Sequence, residues 1–294
     1  PGHPVNTIKQ ENVVIKSLVN DFLLPNLKKW EDNKSDETLD KIKQALSDLA
    51  TIDKHYARKE TSLFPLMTKY GITAPPQVMW GVDDKIRRLI KQANEIANTD
   101  PIDAEKLDKA IKETSHEVLE MIFKEEDIMI PMIDEVANQE DWENVKQEEK
   151  QIGYTLINPP MNWKPKKEPK AAGPISFDNL SSLFINFKEG SLNLKQLSAI
   201  LDMLPFALTF VDANDKVAYF GGGANIFPHS KNAIGNSVFS CHTPASKPII
   251  EKIFKEFHEG KKNEISYWFT PRKMGRKLYL RYYAVHDDDD QYLG

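Results

Sequence analysis

Between His3 and Asn138 the chain contains only two glycines, Gly71 and Gly81, and its apolar and charged residues recur there at helical intervals. So long a stretch without the common helix breaker constrains this part to an all-α fold. Four helices are expected, roughly Val5 to Leu24, Ser35 to Tyr70, Pro76 to Ala97 and Pro101 to Val136. The expected breaks are Pro25, Gly71 to Pro76, and Asn98 to Pro101. Four helices with short connections favour an antiparallel bundle.

From Asn158 to Pro174 the grammar changes to proline, lysine and small residues, a composition that keeps a connector extended. Beyond it come short apolar or alternating runs, Phe206 to Val211, Lys216 to Phe220, Glu264 to Phe269 and Lys277 to Val285, which suit strands. Asp212 to Asp215 reads as the turn of a hairpin, and Pro248 to His258 carries a helical pattern. The expected organisation is multidomain: a helical bundle with its extension over 1–157, a linker over 158–174, and an α+β domain with an antiparallel sheet over 175–294.

Charge and cysteine content narrow the chemistry. A net charge of −5 lacks the basic excess of a general nucleic-acid binder, so no nucleic-acid partner is expected. The single cysteine, Cys241, excludes an internal disulfide and a cysteine-only zinc cage. No run approaches a membrane span, since the best, Ala199 to Val211, is broken by Asp202 and Pro205. The opening Pro1-Gly2-His3-Pro4 shows neither initiator Met nor signal peptide, and a cytoplasmic fragment of a longer chain is the expectation.

Metal chemistry in the helical half has to use histidine and carboxylate, and only His3, His55 and His116 precede the linker. Counting 1.5 Å per residue outward from the first loop puts Asn12 and His55 at one height. The same count across the third and fourth helices brings Asp83 near His116, with Glu60 and Glu120 or Glu126 a turn or more onward. There is also an echo. Lys59-Glu60 and Glu125-Glu126 precede Pro65 and Pro131, with Glu60 and Glu126 each five residues ahead of the proline.

This pattern resembles the hemerythrin-type HHE cation-binding bundle over roughly residues 3 to 137, in a bacterial family where such a bundle precedes a PAS domain. The resemblance implies a non-haem iron site, di-iron in its full form, responding to O₂, nitric oxide, redox state or iron supply. Of the candidate metal-holding residues, His55, Glu60 and Glu126 match its motif directly and Asp83 and His116 join them from the height count, with manganese or zinc as alternatives to iron. The chain departs from the five-histidine pattern, because Asn12, Asp83 and Met121 or Ile122 stand where hemerythrins usually place histidine. The plainer alternative, that these are helix-face side chains paired with neighbouring charges, stays open.

The segment from Leu201 to Asp212, then Ile226-Phe227-Pro228, Cys241-His242-Thr243-Pro244 and Tyr279 to Val285, is similar in its order to a PAS sensor domain. That resemblance implies a signal-sensing module, a homodimer contact through it, and one further sheet strand beyond Gly294. Cys241 and His242 are candidate haem ligands, with flavin as another occupant; the plainer reading is a buried thiol and an ordinary histidine beside Pro244. The expected function is a sensory or regulatory protein, not primarily an enzyme. The alternatives are a di-iron oxidase, peroxidase or nitric-oxide-processing enzyme, and a metal-free interaction scaffold.

Overall fold

Pro25 does not end the first helix. In the computed structural model, which describes residues 2–158, 160, 163, 184–224, 226, 227, 229–271, 275 and 277–294, helical backbone runs on through it. The helices α1 (Pro4–Ser17) and α2 (Leu24–Asn33) are joined by a π-helical segment, π1 (Leu18–Leu23). The same device recurs twice. Segment π2 (Lys59–Leu63) joins α4 (Ile52–Arg58) to α5 (Phe64–Lys69), and π3 (Glu125–Met129) joins α7 (Ala104–Lys124) to α8 (Ile130–Val136).

Each π segment stops just before a proline at the start of the following helix: Pro25, Pro65 or Pro131. A proline inside a helix lacks the N–H for the preceding turn and its ring crowds that turn's carbonyl. A widened turn gives the ring room, so the rod continues where an ordinary α-helix would kink. The wide turns also leave a spacing of four in the core. Ile15, Val19, Leu23 and Leu27 are buried in one rod, His55, Lys59, Leu63 and Met67 in another, and Met121, Glu125, Met129 and Ile133 in a third.

The second rod starts with α3 (Asp36–Ala50), capped by the Ser35 hydroxyl. The third is α6 (Ala74–Ala97), and α9 (Gln139–Ile152) follows the fourth rod, its start fixed by a reciprocal cap between Asn138 and Asp141. Apolar stripes from the four rods, with Trp142 and Val145 of α9, merge into one core. The chain divides into two units, Pro1–Pro165 with Ser230–Ala233, and Lys166–His229 with Ile234–Gly294. Of the expected connector, 158–174, only Asn158, Pro160 and Trp163 are among the described residues.

The second unit is built from antiparallel hairpins. Among the described residues the strands pair two by two: β1 (Phe184–Phe187) with β2 (Gly190–Asn193), β3 (Leu208–Val211) with β4 (Val217–Gly221), and β5 (Glu264–Phe269) with β6 (Leu278–Tyr283). The first hairpin and α10 (Leu194–Asp202), which begins in a reciprocal Asn193–Gln196 cap, were not anticipated. The β3–β4 turn forms as its sequence predicts, with the Asp212 carboxylate accepting from the N–H groups of Asn214 and Lys216. Helix α11 (Lys247–His258) buries Ile250, Ile253, Phe254 and Phe257 against Val217 and Val238. Val285 exchanges backbone bonds with Leu293 and Gly294, both at 2.7 Å, so the last residues fold back beside it.

A buried ion-pair cluster as the candidate functional site

All four rods send a polar residue of the inward stripe into the bundle. Glu11 and Asn12 come from α1, His55 and Arg58 from α4, Lys59 from π2, Asp83 from α6 and Glu125 from π3, and all are buried. Three of these are carboxylates and three are cationic side chains that contact them. Unpaired buried ions cost several kcal/mol each, so this cluster persists through mutual pairing.

His55 links two of the carboxylates. Its Nδ1 lies 2.7 Å from Glu11 Oε2 and its Nε2 3.1 Å from Glu125 Oε2. With an acceptor facing each nitrogen, both nitrogens carry hydrogen and the ring is an imidazolium. Burial alone would lower its pKa; the charge of Glu125 and the bonds to Glu11 and Glu125 outweigh that and push it up to about 9.

Lys59 is the second link. Its ammonium donates to Asp83 Oδ1 at 2.8 Å and to Glu125 Oε1 at 2.5 Å, and sits 4.3 Å from the centre of the Tyr56 ring. Burial opposes ionisation of Glu125, yet Lys59 and His55 hold its pKa down to about 2. Asp83 takes the opposite course. Its burial, reinforced by the charges of Glu60 and Glu125, exceeds the pull of Lys59 and raises it to about 7. Its second oxygen, Oδ2, has no hydrogen-bond partner among the described residues, and the same holds for the Tyr56 hydroxyl and the Asn12 amide.

At the other end Glu11 accepts from Arg58 and, at 2.6 Å, from the Thr155 N–H. Thr155 also receives the His55 N–H on its hydroxyl and donates that hydroxyl to the Thr51 carbonyl at 2.7 Å. Arg58 donates as well to the Gly153 carbonyl and lies 5.1 Å from the centre of the Tyr154 ring. Gly153 has φ +91°, a backbone conformation that side chains oppose, so glycine permits the turn that presents this carbonyl.

The expected site residues separate into two groups. His55 and Asp83 enter the cluster. Glu60 turns aside to a half-buried bidentate pair with Arg87, at 2.6 and 3.1 Å, and Arg87 also binds Asp53 at 2.7 Å. His116 is exposed on the outside of α7, and Glu126 is partly exposed, one position past the inward residue. The expected level of Asp83 with His116 therefore does not form. Glu11, Arg58, Lys59 and Glu125 were missed, although all lie three or four residues from another buried member of their own stripe.

In the second unit, Cys241 ends a short 3₁₀ turn (Val238–Cys241) and His242 follows it. The His242 Nδ1 donates to the Val238 carbonyl at 2.8 Å, which leaves Nε2 as the acceptor, and burial lowers its pKa. Cys241 is half-buried, and burial pushes its thiol up.

Residues 3–133 match the family model described as the hemerythrin HHE cation binding domain, and residues 197–294 match that of a PAS domain. Among solved structures, the crystal structure of a C-terminal domain from Streptococcus mutans is 26% identical, over 39% of this chain and 88% of that one, with a TM-score of 0.37. Comparison with curated proteins gives no match. An HHE domain implies a metal-binding site, and the cluster occupies the depth where one was expected. Its donors do not fit a metal. Both His55 nitrogens face carboxylates, the Glu125 oxygens are taken by His55 and Lys59, and an ammonium stands between Asp83 and Glu125. Among the described residues no three of His, Cys, Asp and Glu are placed to share an ion.

Proposed function

From a chain that carries a hemerythrin HHE domain followed by a PAS domain, we propose a sensory or regulatory protein of the cytoplasm. The PAS module receives a small redox-active or gaseous ligand, or a cofactor that reports one, and pairs with a second copy. The bundle is a charge-locked partner to it. One observation carries this reading: the three carboxylates of the buried cluster, Glu11, Asp83 and Glu125, are each already paired within the chain, by His55, Arg58 and Lys59. Among the described residues no helix is long and apolar enough to cross a membrane. Haemin and FMN are the probes for the PAS half. Saturable binding of either to the full-length protein, weakened by His242→Ala, is the expected result; saturable binding of neither removes these cofactors from the reading.

The family match keeps a second reading in play, a di-iron enzyme acting on peroxide or nitric oxide. It requires turnover that disappears in His55→Ala, and iron or manganese in the purified protein.

A further inference from the structure

The Lys59 ammonium lies in a cage made for a cation. Two carboxylate oxygens from different rods converge on it, Asp83 Oδ1 at 2.8 Å and Glu125 Oε1 at 2.5 Å, and the Tyr56 ring faces it at 4.3 Å. The cage has capacity to spare. Asp83 is wholly buried, yet among the described residues its Oδ2 has no hydrogen-bond partner, and neither has the hydroxyl of the buried Tyr56. An unpaired buried carboxylate oxygen costs free energy that a purely structural lysine–carboxylate pair would not require. Such a pattern suits an acidic cradle shaped for a larger coordination demand than three N–H groups make.

We infer that Lys59 is a tethered substitute for a metal ion: the bundle retains an acidic, aromatic-walled cradle and fills it from its own chain, and removing the amine opens a divalent-cation site between Asp83 and Glu125. The physical exchange is simple. A covalently held ammonium needs no ion from solution, is never lost to a chelator and carries no redox chemistry. A divalent ion in the same place would use both Asp83 oxygens and the Glu125 oxygen that Lys59 now occupies. The carboxylates do not change; only the source of positive charge does. This inference rests on the reading of the wild-type bundle as charge-locked without a metal of its own.

The experiment compares full-length wild type, Lys59→Ala and Lys59→Met, each treated with EDTA and then titrated with Mn²⁺, Zn²⁺ or, without oxygen, Fe²⁺. Metal content, calorimetric binding and Tm are the readouts. Wild type is expected to show no saturable binding and an unmoved Tm. Either variant should start with a lowered Tm, recover part of it with cation, and bind the ion saturably, with a Kd roughly 100-fold below the highest metal concentration at which wild type shows none. Adding Asp83→Asn to the variant should abolish the gain. The inference is overturned if both variants show no saturable binding, or if Asp83→Asn leaves the gained site intact. Metal analysis of wild type does not depend on a variant folding: stoichiometric iron there overturns both this inference and the charge-locked reading, whereas metal-free wild type with unresponsive variants overturns the inference alone.

Discussion

Lys59 and Glu125 occupy equivalent places in two rods. Each stands six residues before a proline, each opens a π segment, and each points into the core. They carry opposite charges and bond to one another at 2.5 Å. Their immediate neighbours, Glu60 and Glu126, share both charge and spacing, yet neither enters the cluster. The comparison teaches that the similar letters of an internal echo can mark the outer position, while the dissimilar letters mark the inner one where the two halves meet. Backbone phase, not residue identity, decides which glutamate is buried.

Breaking the inner pair is the severest test. Glu125→Ala leaves Lys59 and His55 without their shared acceptor and should cost about 3–5 kcal/mol in denaturant unfolding. The double replacement Lys59→Met with Glu125→Leu, which removes both charges, should recover much of that loss, and a double loss equal to the sum of the singles would disprove the coupling. Next is pH. The folded pKa of His55 is raised to about 9 from an ordinary 6.5, so its contribution is complete below pH 6.5 and lost as pH rises through 9. Wild type should therefore lose roughly 3 kcal/mol across that window and His55→Gln far less, measured as unfolding free energy against pH.

Seven residues before the prolines the two rods differ again, with buried Arg58 in one and partly exposed Lys124 in the other. Arg58 depends on the carbonyl of Gly153, so Gly153→Ala, forced into φ +91°, should cost ~1–3 kcal/mol. The outer positions should respond least. Glu60→Gln, at a half-buried pair with Arg87, is expected to cost under about 1 kcal/mol, and Glu126→Gln under about 0.5 kcal/mol. A larger effect at Glu126 than at Glu125 would reverse the assignment of inner and outer positions.

The scarcity of glycine made the helical half legible, and alternation made β3 to β6 legible, because both are properties of neighbouring residues. The hemerythrin and PAS arrangement was legible for a similar reason, as ordered motifs along the chain. The cluster itself was only half visible. Anchoring on the proline pointed to Glu60 and Glu126, whereas stepping by three and four residues from His55 reaches Arg58 and Lys59, and from Met121 and Ile122 reaches Glu125. Lys59 falls outside a cation-binding pattern, which consists of acids and imidazoles. Glu11 also lies on the inward stripe, between Ile8 and Ile15, but its partners Arg58 and Thr155 are 47 and 144 residues away, and no local pattern encodes that pairing. Pro25 resembles a stop in the sequence because the widened turn that accommodates it leaves only a faint mark, apolar positions four apart.

That mark bears on tolerance to length change. Four-residue steps on a helix of 3.6 residues per turn would drift by ~40° each, and the broader turns absorb the surplus. Deleting one residue between Lys59 and Pro65 would remove that surplus: ordinary winding would then keep the stretches on either side in phase, but the Pro65 ring would crowd the turn before it. Each widened turn is thus a single residue's worth of chain given over to seating a proline, and a shortened variant would keep its buried contacts aligned only by kinking at that ring.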